Sequence, residues 1–220
     1  MTTRIASLTI LLLALAAVPA SAQTWTYDNG PINGGVDGWD INFGYTVSDS
    51  YVAGGTLVTG LAFGAHEFPG DTVTSVEWIL STGPCSNPQG GCGTILGSGT
   101  ASGSNLTDKF LSHNGFGFDI DLITVSNLNV PQTSGTEYWL TLENAMVPNN
   151  GDPVYWDQNS GIGCMSKGCP STAYESAVGT VPSESFTITG GSGTTPEPGS
   201  FILLVSGILG VAGVLRRKWL

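Results

Sequence analysis

Basic side chains are scarce in this sequence, which holds six lysine and arginine residues against seventeen aspartates and glutamates. Four of the six lie near the chain ends, at Arg4, Arg216, Arg217 and Lys218. The interior therefore carries only Lys109 and Lys167 as cations. Such a surface repels phosphate backbones and anionic lipid headgroups. The composition excludes nucleic acid as a partner and excludes electrostatic docking on a membrane.

The sequence also lacks the short motifs that identify common catalytic sites. It has no Gly-x-Ser-x-Gly, no His-Glu-x-x-His, no phosphate-binding glycine loop and no EF-hand ladder. The histidines, His66 and His113, are far apart in the chain, and we interpret them as surface or turn residues. Asp119 and Asp121 could flank a glycosidic bond, but residues two apart share a strand face, and we expect both to point to solvent. We predict that the protein is not an enzyme.

Helical periodicity is absent from the interior, whereas period-two alternation recurs. Within 116–122, Ile120 and Leu122 share one face with the phenylalanines, while Asp119 and Asp121 occupy the other, which predicts a half-buried strand. The predicted strands are 41–47, 56–63, 76–80, 94–101, 116–122, 138–142, 153–157 and 185–189. Many short strands without crossover helices predict an all-β fold, an antiparallel β-sandwich of jelly-roll type.

The N-terminal residues have the order of a secretory signal. Arg4 precedes an apolar stretch, 5–18, that is too short to span a bilayer comfortably and ends before Pro19. Ala20 and Ala22 occupy the positions that signal peptidase inspects, so we predict cleavage after Ala22 and a mature protein that begins at Gln23. Residues 1–22 are thus predicted to be a signal helix. The alternative is a buried helix of the folded domain.

The C-terminal residues contain a second apolar segment, 200–215, which follows a predicted Gly/Ser/Thr spacer, 190–195, and the string 196–198. As an α-helix rising about 1.5 Å per residue, this segment is just long enough to span a bilayer core. Arg216, Arg217 and Lys218 follow it, and an excess of basic residues marks the cytoplasmic side. We therefore expect the body, 23–189, to face the opposite compartment.

Pro196, Glu197 and Pro198, followed by the apolar segment and the basic end, resemble the PEP-CTERM sorting signal of Gram-negative bacteria. The resemblance covers 196–220. It implies that an exosortase, a membrane cysteine protease similar to transpeptidases, cuts near the Pro-Glu-Pro string. It also implies an inner-membrane intermediate with a cytoplasmic C-terminus, from which the body is released to the cell surface or to an extracellular exopolysaccharide matrix.

The four cysteines fall into two local pairs. In an exported chain an even count is typical of disulfides, and the spacing favours Cys85 with Cys92 and Cys164 with Cys169, although three connectivities exist. Zinc binding is the alternative, but neither pair has the two-residue spacing of a zinc knuckle.

Two kinds of ligand remain open at this stage. Trp139 and Trp156 are candidate contacts for glycan, and the alternative for both is packing beneath a loop. Oxygen-rich turns at 28–30 and 149–152 could hold Ca²⁺, but such strings are also ordinary turn sequences. We assign no cofactor, with Ca²⁺ as the alternative.

These observations together favour an exported protein with a structural or adhesive role at the cell surface or in the extracellular matrix. Its processing partners would be signal peptidase and exosortase, and it would contact the membrane through its C-terminal helix until it is cut. The alternative is an extracellular carbohydrate-binding module that acts on exopolysaccharide.

Overall fold

The fold of this protein is seen in a computed structural model, which describes residues 24–35, 37–86, 91–149, 151–159 and 168–191, and only the backbone of Trp25. Regular structure in these ranges is β-strand apart from one 3₁₀ turn, Gly103–Asn105, so the prediction of an all-β fold is confirmed. The strands are β1 (Thr24–Asp28), β2 (Gly38–Asp40), β3 (Thr46–Val52), β4 (Leu57–Glu67), β5 (Ser75–Ser81), β6 (Ile95–Ser102), β7 (Leu106–His113), β8 (Asp119–Val125), β9 (Val130–Pro131), β10 (Glu137–Met146), β11 (Tyr155–Asp157), β12 (Ala173–Glu175), β13 (Gly179–Val181) and β14 (Phe186–Gly191).

The long strand β4 is the centre of an antiparallel sheet of eight described strands. One edge of β4 pairs with β14 and then β11, and its other edge pairs with β9 and then β8. Outside these, β1 pairs with β14, β2 with β11 and β7 with β8. Most residues of β4 are buried, because neighbouring strands flank both of its edges and both of its faces are largely covered.

The second antiparallel sheet has six described strands in the order β13-β12-β3-β10-β5-β6. In its centre, Leu140 of β10 lies between Asp49 of β3 and Leu80 of β5. The predicted inward rows of β5 and β10 are confirmed, since all of their members are buried: Val76, Trp78, Leu80, Tyr138, Leu140 and Leu142.

A single hydrophobic core joins the two sheets. Leu61 and Phe63 of the eight-stranded sheet belong to the same buried cluster as Leu140 and Leu142 of the six-stranded sheet. The apolar faces of the two sheets therefore pack against each other, with their alternate side chains directed inward.

The prediction of a strand over 41–47 is wrong for most of its length, because β3 begins only at Thr46. Phe43 and Gly44 have positive φ angles of 54° and 88°, which an extended strand does not allow. The Asp40 carboxylate accepts a hydrogen bond of 2.8 Å from the backbone N–H of Asn42 and holds this turn. The aromatic side chain of Phe43 is consequently exposed.

The predicted strand over 116–122 is present only from Asp119 onward, as part of β8, since Gly117 has a positive φ of 92°, and its faces were predicted incorrectly. Ile123 and Val125 belong to the shared core, so Asp121 and Asp119 continue the inward row, and both are buried. Ile120 points to the outer face, where its side chain contacts Gly34. The alternation was predicted correctly, but the outer face is partly covered too, so Ile120 is buried there and Leu122 is half-buried.

The predicted processing segments lie outside the described residues. These are the signal helix with Ala20, Ala22 and Gln23, the helix over 200–215, and the sorting residues Pro196, Glu197, Pro198, Arg216, Arg217 and Lys218. In the part of the chain that is described, no helix has the length and apolar character needed to cross a membrane. Strand β14 extends to Gly191, which is two residues into the predicted spacer.

Candidate functional site

Three carboxylates meet at one end of the shared core. Glu67 is the last residue of β4, Asp108 lies in β7 and Asp121 lies in β8. One oxygen from each lies within 4.8 Å of the others. Glu67 and Asp121 are buried, and Asp108 is half-buried. We call these three residues the acidic cluster.

The register of the strands explains why these side chains meet. Asp121 pairs with Ala65 of β4 on one side and with Phe110 of β7 on the other. Glu67 lies two residues after Ala65, and Asp108 lies two residues before Phe110, so both share the inward face with Asp121. Diagonal neighbours on one face are within reach of long side chains.

The loop 68–74, between β4 and β5, contacts the acidic side chains at this end of the core. The backbone N–H of Val73 donates a hydrogen bond of 2.7 Å to the Asp108 carboxylate, and that of Gly70 donates one of 3.3 Å to Asp119. Asp71, in the same loop, has one buried oxygen without a hydrogen-bond partner among the described residues. The loop therefore stabilises Asp108 and Asp119 but adds a further acid.

The side chain of Glu67 is fully buried, and no N–H or O–H group of the described residues donates a hydrogen bond to either carboxylate oxygen; its polar neighbour is the carboxyl group of Asp108. Burial, together with the negative charges of Asp108 and Asp121, raises the pKa of Glu67 to about 9. Burial likewise raises the pKa of Asp121 to about 6, with Asp108 and Asp119 adding to the effect. Burial also raises the pKa of Asp108. Lys109 follows Asp108 in β7, but its side chain is exposed and points to the face of the sheet opposite the acidic cluster.

The donor set of the acidic cluster suits a hard divalent cation. Carboxylate oxygens are the preferred ligands of Ca²⁺, at about 2.3–2.6 Å from the ion. Two such ligands on opposite sides of one ion would be about 5 Å apart, so oxygens within 4.8 Å of one another fit around a single ion. Zinc and copper sites more often use histidine or cysteine, and neither is part of the acidic cluster.

The two turns considered for Ca²⁺ do not join this cluster. The Asp28 carboxylate accepts a hydrogen bond of 2.9 Å from the N–H of Gly30, and Asn29 is buried against the core. In the other turn, the Asn149 amide donates a hydrogen bond of 2.7 Å to Asp152. Asp28 and Asn149 therefore make local hydrogen bonds, as the turn-like sequences also indicated, whereas the Asn29 amide binds Asp49 and the carbonyl of Glu184.

The two histidines each contact an aspartate but do not meet each other. His66 is buried and lies 2.8 Å from Asp157 through Nε2. The other oxygen of Asp157 accepts the backbone N–H of Asn33, while the first also accepts that of Gly34. The interpretation of His66 as a surface residue is therefore wrong, since His66 belongs to a buried network that holds a loop. His113 is largely exposed and lies 2.5 Å from Asp119.

The two candidate glycan contacts have different positions. Trp156 is fully buried, donates a hydrogen bond of 2.8 Å to the carbonyl of Ser185, and packs edge-on against Phe63 and Phe186. A surface role for Trp156 is therefore wrong, because its ring fills the core. Trp139 is half-buried on the outer face of β10, opposite the inward row, as the alternation predicts.

The predicted disulfide Cys85–Cys92 is confirmed. It lies on the outer face of the six-stranded sheet, where the N–H of Cys85 donates a hydrogen bond of 3.0 Å to Ser48 Oγ. Thr141 Oγ1 donates one of 3.2 Å to the Cys85 sulfur. Cys169 is also disulfide-bonded, while Cys164, its predicted partner, lies outside the described residues.

A second group of buried polar side chains surrounds Asp49 and Glu184. One oxygen of Asp49 accepts hydrogen bonds from the N–H of Glu184 (2.7 Å) and from the Asn29 amide (3.2 Å). Burial raises the pKa of Asp49 to about 7. Glu184 is fully buried, its carboxyl oxygens have no partner among the described residues, and burial with the charge of Asp49 raises its pKa well above the usual range.

Sequence reasoning did not single out Glu67 and Asp108. The signal was available, because each continues an apolar inward row: Leu61, Phe63 and Ala65 precede Glu67, and Leu106 precedes Asp108. An acid at the end of such a row lies at the boundary of the core. The pairing of the three strands, however, is not readable from the sequence.

No protein-family model, no curated protein and no solved structure matches this chain.

Proposed function

We propose that this protein is an exported structural or adhesive component of the cell surface or extracellular matrix. Its two sheets form a jelly-roll-like sandwich, and its ends are processed by signal peptidase and exosortase. The observation that carries the proposal is the disulfide Cys85–Cys92. Disulfides persist in oxidising compartments outside the cytosol, so this bond supports export of the body that contains it.

The use of the polar groups supports a structural role over a catalytic one. Asp157 binds two backbone N–H groups and His66, and so holds the segment around Asn33 and Gly34 against β4. Val73 and Gly70 bind Asp108 and Asp119 in the same manner. These carboxylates accept hydrogen bonds from loops, and their contacts stabilise the fold.

The sorting residues provide the test of export. We expect replacement of Pro196, Glu197 and Pro198 by alanine to leave the protein in the membrane fraction of a host that has an exosortase. A control with alanine at Thr194 and Thr195 should be released like the natural chain. Mass spectrometry of the released protein should report Gln23 as its first residue and no cysteine that reacts with iodoacetamide before reduction. Equal release of the sorting variant and the control, or reactive thiols in the released protein, would contradict the proposal.

A second candidate function is binding of exopolysaccharide, which the position of Trp139 favours. This ring lies on the outer face of β10 between Ser50 and Ser81 and is partly accessible. Aromatic rings on an exposed sheet face can stack on apolar faces of ligands. Trp139→Ala should weaken binding to the host polysaccharide at least about tenfold, which corresponds to about 1.4 kcal/mol. Phe116→Ala, at an exposed aromatic residue elsewhere, should bind normally; equal affinities for all three proteins would exclude the site.

A further inference from the structure

We propose that Glu67, Asp108 and Asp121 bind one divalent cation of the Ca²⁺ type at the end of the core, beside the loop 68–74. This site is independent of the proposed export and of the two turns that the sequence suggested for Ca²⁺.

The first argument is the state of Glu67. Its side chain is fully buried and directed into the acidic cluster, yet no N–H or O–H group of the described residues donates to either carboxylate oxygen, and its polar neighbour is another acid, Asp108. Buried carboxyl groups in folded proteins are almost always hydrogen-bonded, paired with a basic group or bound to a metal. Glu67 therefore lacks a partner that its burial requires, and a cation in the cluster would supply it.

The second argument is the charge around the cluster. Asp71 and Asp119 lie close to Glu67 and Asp121, respectively, and are acids too. The ion pairs seen in the described ranges are His66 with Asp157 and His113 with Asp119, and neither includes a member of the cluster. Among the described residues, no lysine, arginine or histidine forms an ion pair with Glu67, Asp108 or Asp121, and His113 pairs with the neighbouring Asp119.

The third argument is the ligand geometry, which favours Ca²⁺ over Mg²⁺. Mg²⁺ requires oxygens at about 2.0–2.1 Å in a near-ideal octahedron, whereas Ca²⁺ accepts about 2.3–2.6 Å and irregular coordination. Three protein carboxylates within 4.8 Å of one another favour Ca²⁺, since Mg²⁺ usually keeps several waters and takes only one or two carboxylates. Water can complete the coordination.

The bound ion would fasten the loop 68–74 to the sheet. Asp108 already accepts the N–H of Val73, and an ion held by Asp108 would fix this residue between the loop and β8. Binding to the folded state alone stabilises that state in proportion to the logarithm of the ion concentration. The expected consequence is a Ca²⁺-dependent melting temperature.

The test uses the natural full-length protein, purified, treated with EDTA and dialysed, with CaCl₂ as the probe in isothermal titration calorimetry. We expect one Ca²⁺ per chain, a higher melting temperature with Ca²⁺ than with EDTA, and at least tenfold weaker binding for Glu67→Gln. The matched control is Glu184→Gln, because Glu184 is equally buried and unpartnered but belongs to a different group of side chains. This control should bind Ca²⁺ like the natural protein.

If Glu67→Gln does not fold, Asp121→Asn provides the same comparison and should also bind at least tenfold more weakly. The absence of saturable Ca²⁺ binding to the natural protein would overturn the proposal. Equal affinities of Glu67→Gln, or of Asp121→Asn, and the natural protein would overturn it too. An equal loss of Ca²⁺ affinity in Glu184→Gln would also overturn the proposal, because the ion would then not be bound specifically at the acidic cluster.

Discussion

Glu67 and Glu184 show how the same buried residue type meets different surroundings. Both are fully buried, and the carboxyl oxygens of both lack partners in the described structure. Glu67 lies among carboxylates whose oxygens are close enough to share one ion. Glu184 lies near Asp49, whose accepting oxygen is already occupied by two N–H donors. Three carboxylates therefore surround one point beside Glu67, which suits a cation, whereas Glu184 is not part of any such three-carboxylate group among the described residues.

Asp49 should make the stability of the protein depend on pH. Its pKa is about 7 in the folded state and 3.8 without the fold. Between about pH 4 and pH 7 the folded protein retains a proton that the unfolded chain has lost, so the free energy of unfolding falls as the pH rises. Since one pKa unit corresponds to about 1.4 kcal/mol, the loss amounts to about 4 kcal/mol. Asp49→Asn should reduce this loss, as measured by urea unfolding at several pH values.

The matched control for this prediction is Glu137→Gln, at an exposed acid of β10. It should retain the pH dependence of the natural protein. A remaining fall in stability as the pH rises above about 4.5 is expected in Asp49→Asn too, because burial also raises the pKa of Glu184 above its ordinary value of 4.5. Identical pH dependence of Asp49→Asn and the natural protein would show that Asp49 does not bind the proton.

At the scale of the strand, β11 and β10 show why two tryptophans in similar sequence surroundings differ. The short strand β11 lies between β4 and β2, and the ring of Trp156 points into the core against Phe63. In β10 the inward positions belong to Tyr138 and Leu140, so Trp139 points outward. The position within the alternation determines the role of each ring.

We expect Trp156→Ala to lower the free energy of unfolding by about 3–5 kcal/mol, because it removes a core ring and leaves a cavity. Trp139→Ala should lower it by less than about 1 kcal/mol, because its ring lies outside the core. Urea unfolding followed by far-ultraviolet circular dichroism measures both values. Similar losses in the two variants would contradict the positions described for these rings.

Strand β8 shows the limit of reading faces from periodicity. The alternation of acids and apolar residues in 119–122 located the strand correctly, but the acids were predicted on the solvent side. Both faces of β8 are covered, since Ile120 contacts Gly34 outside and Asp121 lies beside Glu67 inside. Polarity alone therefore does not identify the inward face of a strand that is buried on both sides.

At the scale of the whole molecule, the excess of acids should oppose folding. Seventeen acids against six basic residues create mutual repulsion, which is strongest in the compact state. Raising the ionic strength from about 0.01 M to about 0.15 M shortens the Debye length from about 30 Å to about 8 Å and screens this repulsion. We expect the melting temperature, measured by calorimetry with EDTA present, to rise by a few degrees.

Sodium chloride and choline chloride should raise the melting temperature equally, because screening depends on ionic strength and not on the identity of the monovalent cation. A rise with sodium chloride alone would indicate specific ion binding instead. No change with either salt would show that repulsion among the acids contributes little to the stability of the folded state.

The sequence by itself determined the features that depend on neighbouring residues. Alternation along one strand is a local property, so the all-β class and the inward rows of β5 and β10 follow from the order of residues. The close spacing of Cys85 and Cys92 likewise indicated their disulfide, which is confirmed. The turn at Phe43 was missed because its apolar alternation resembles that of a strand.

Only the tertiary structure decided which face of β8 points inward, that Trp156 fills the core, and that Glu67, Asp108 and Asp121 meet. These features depend on which strands pair, in which register, and on what covers each face. The contacts that select them join residues far apart in the chain, and no local pattern of side chains encodes that pairing.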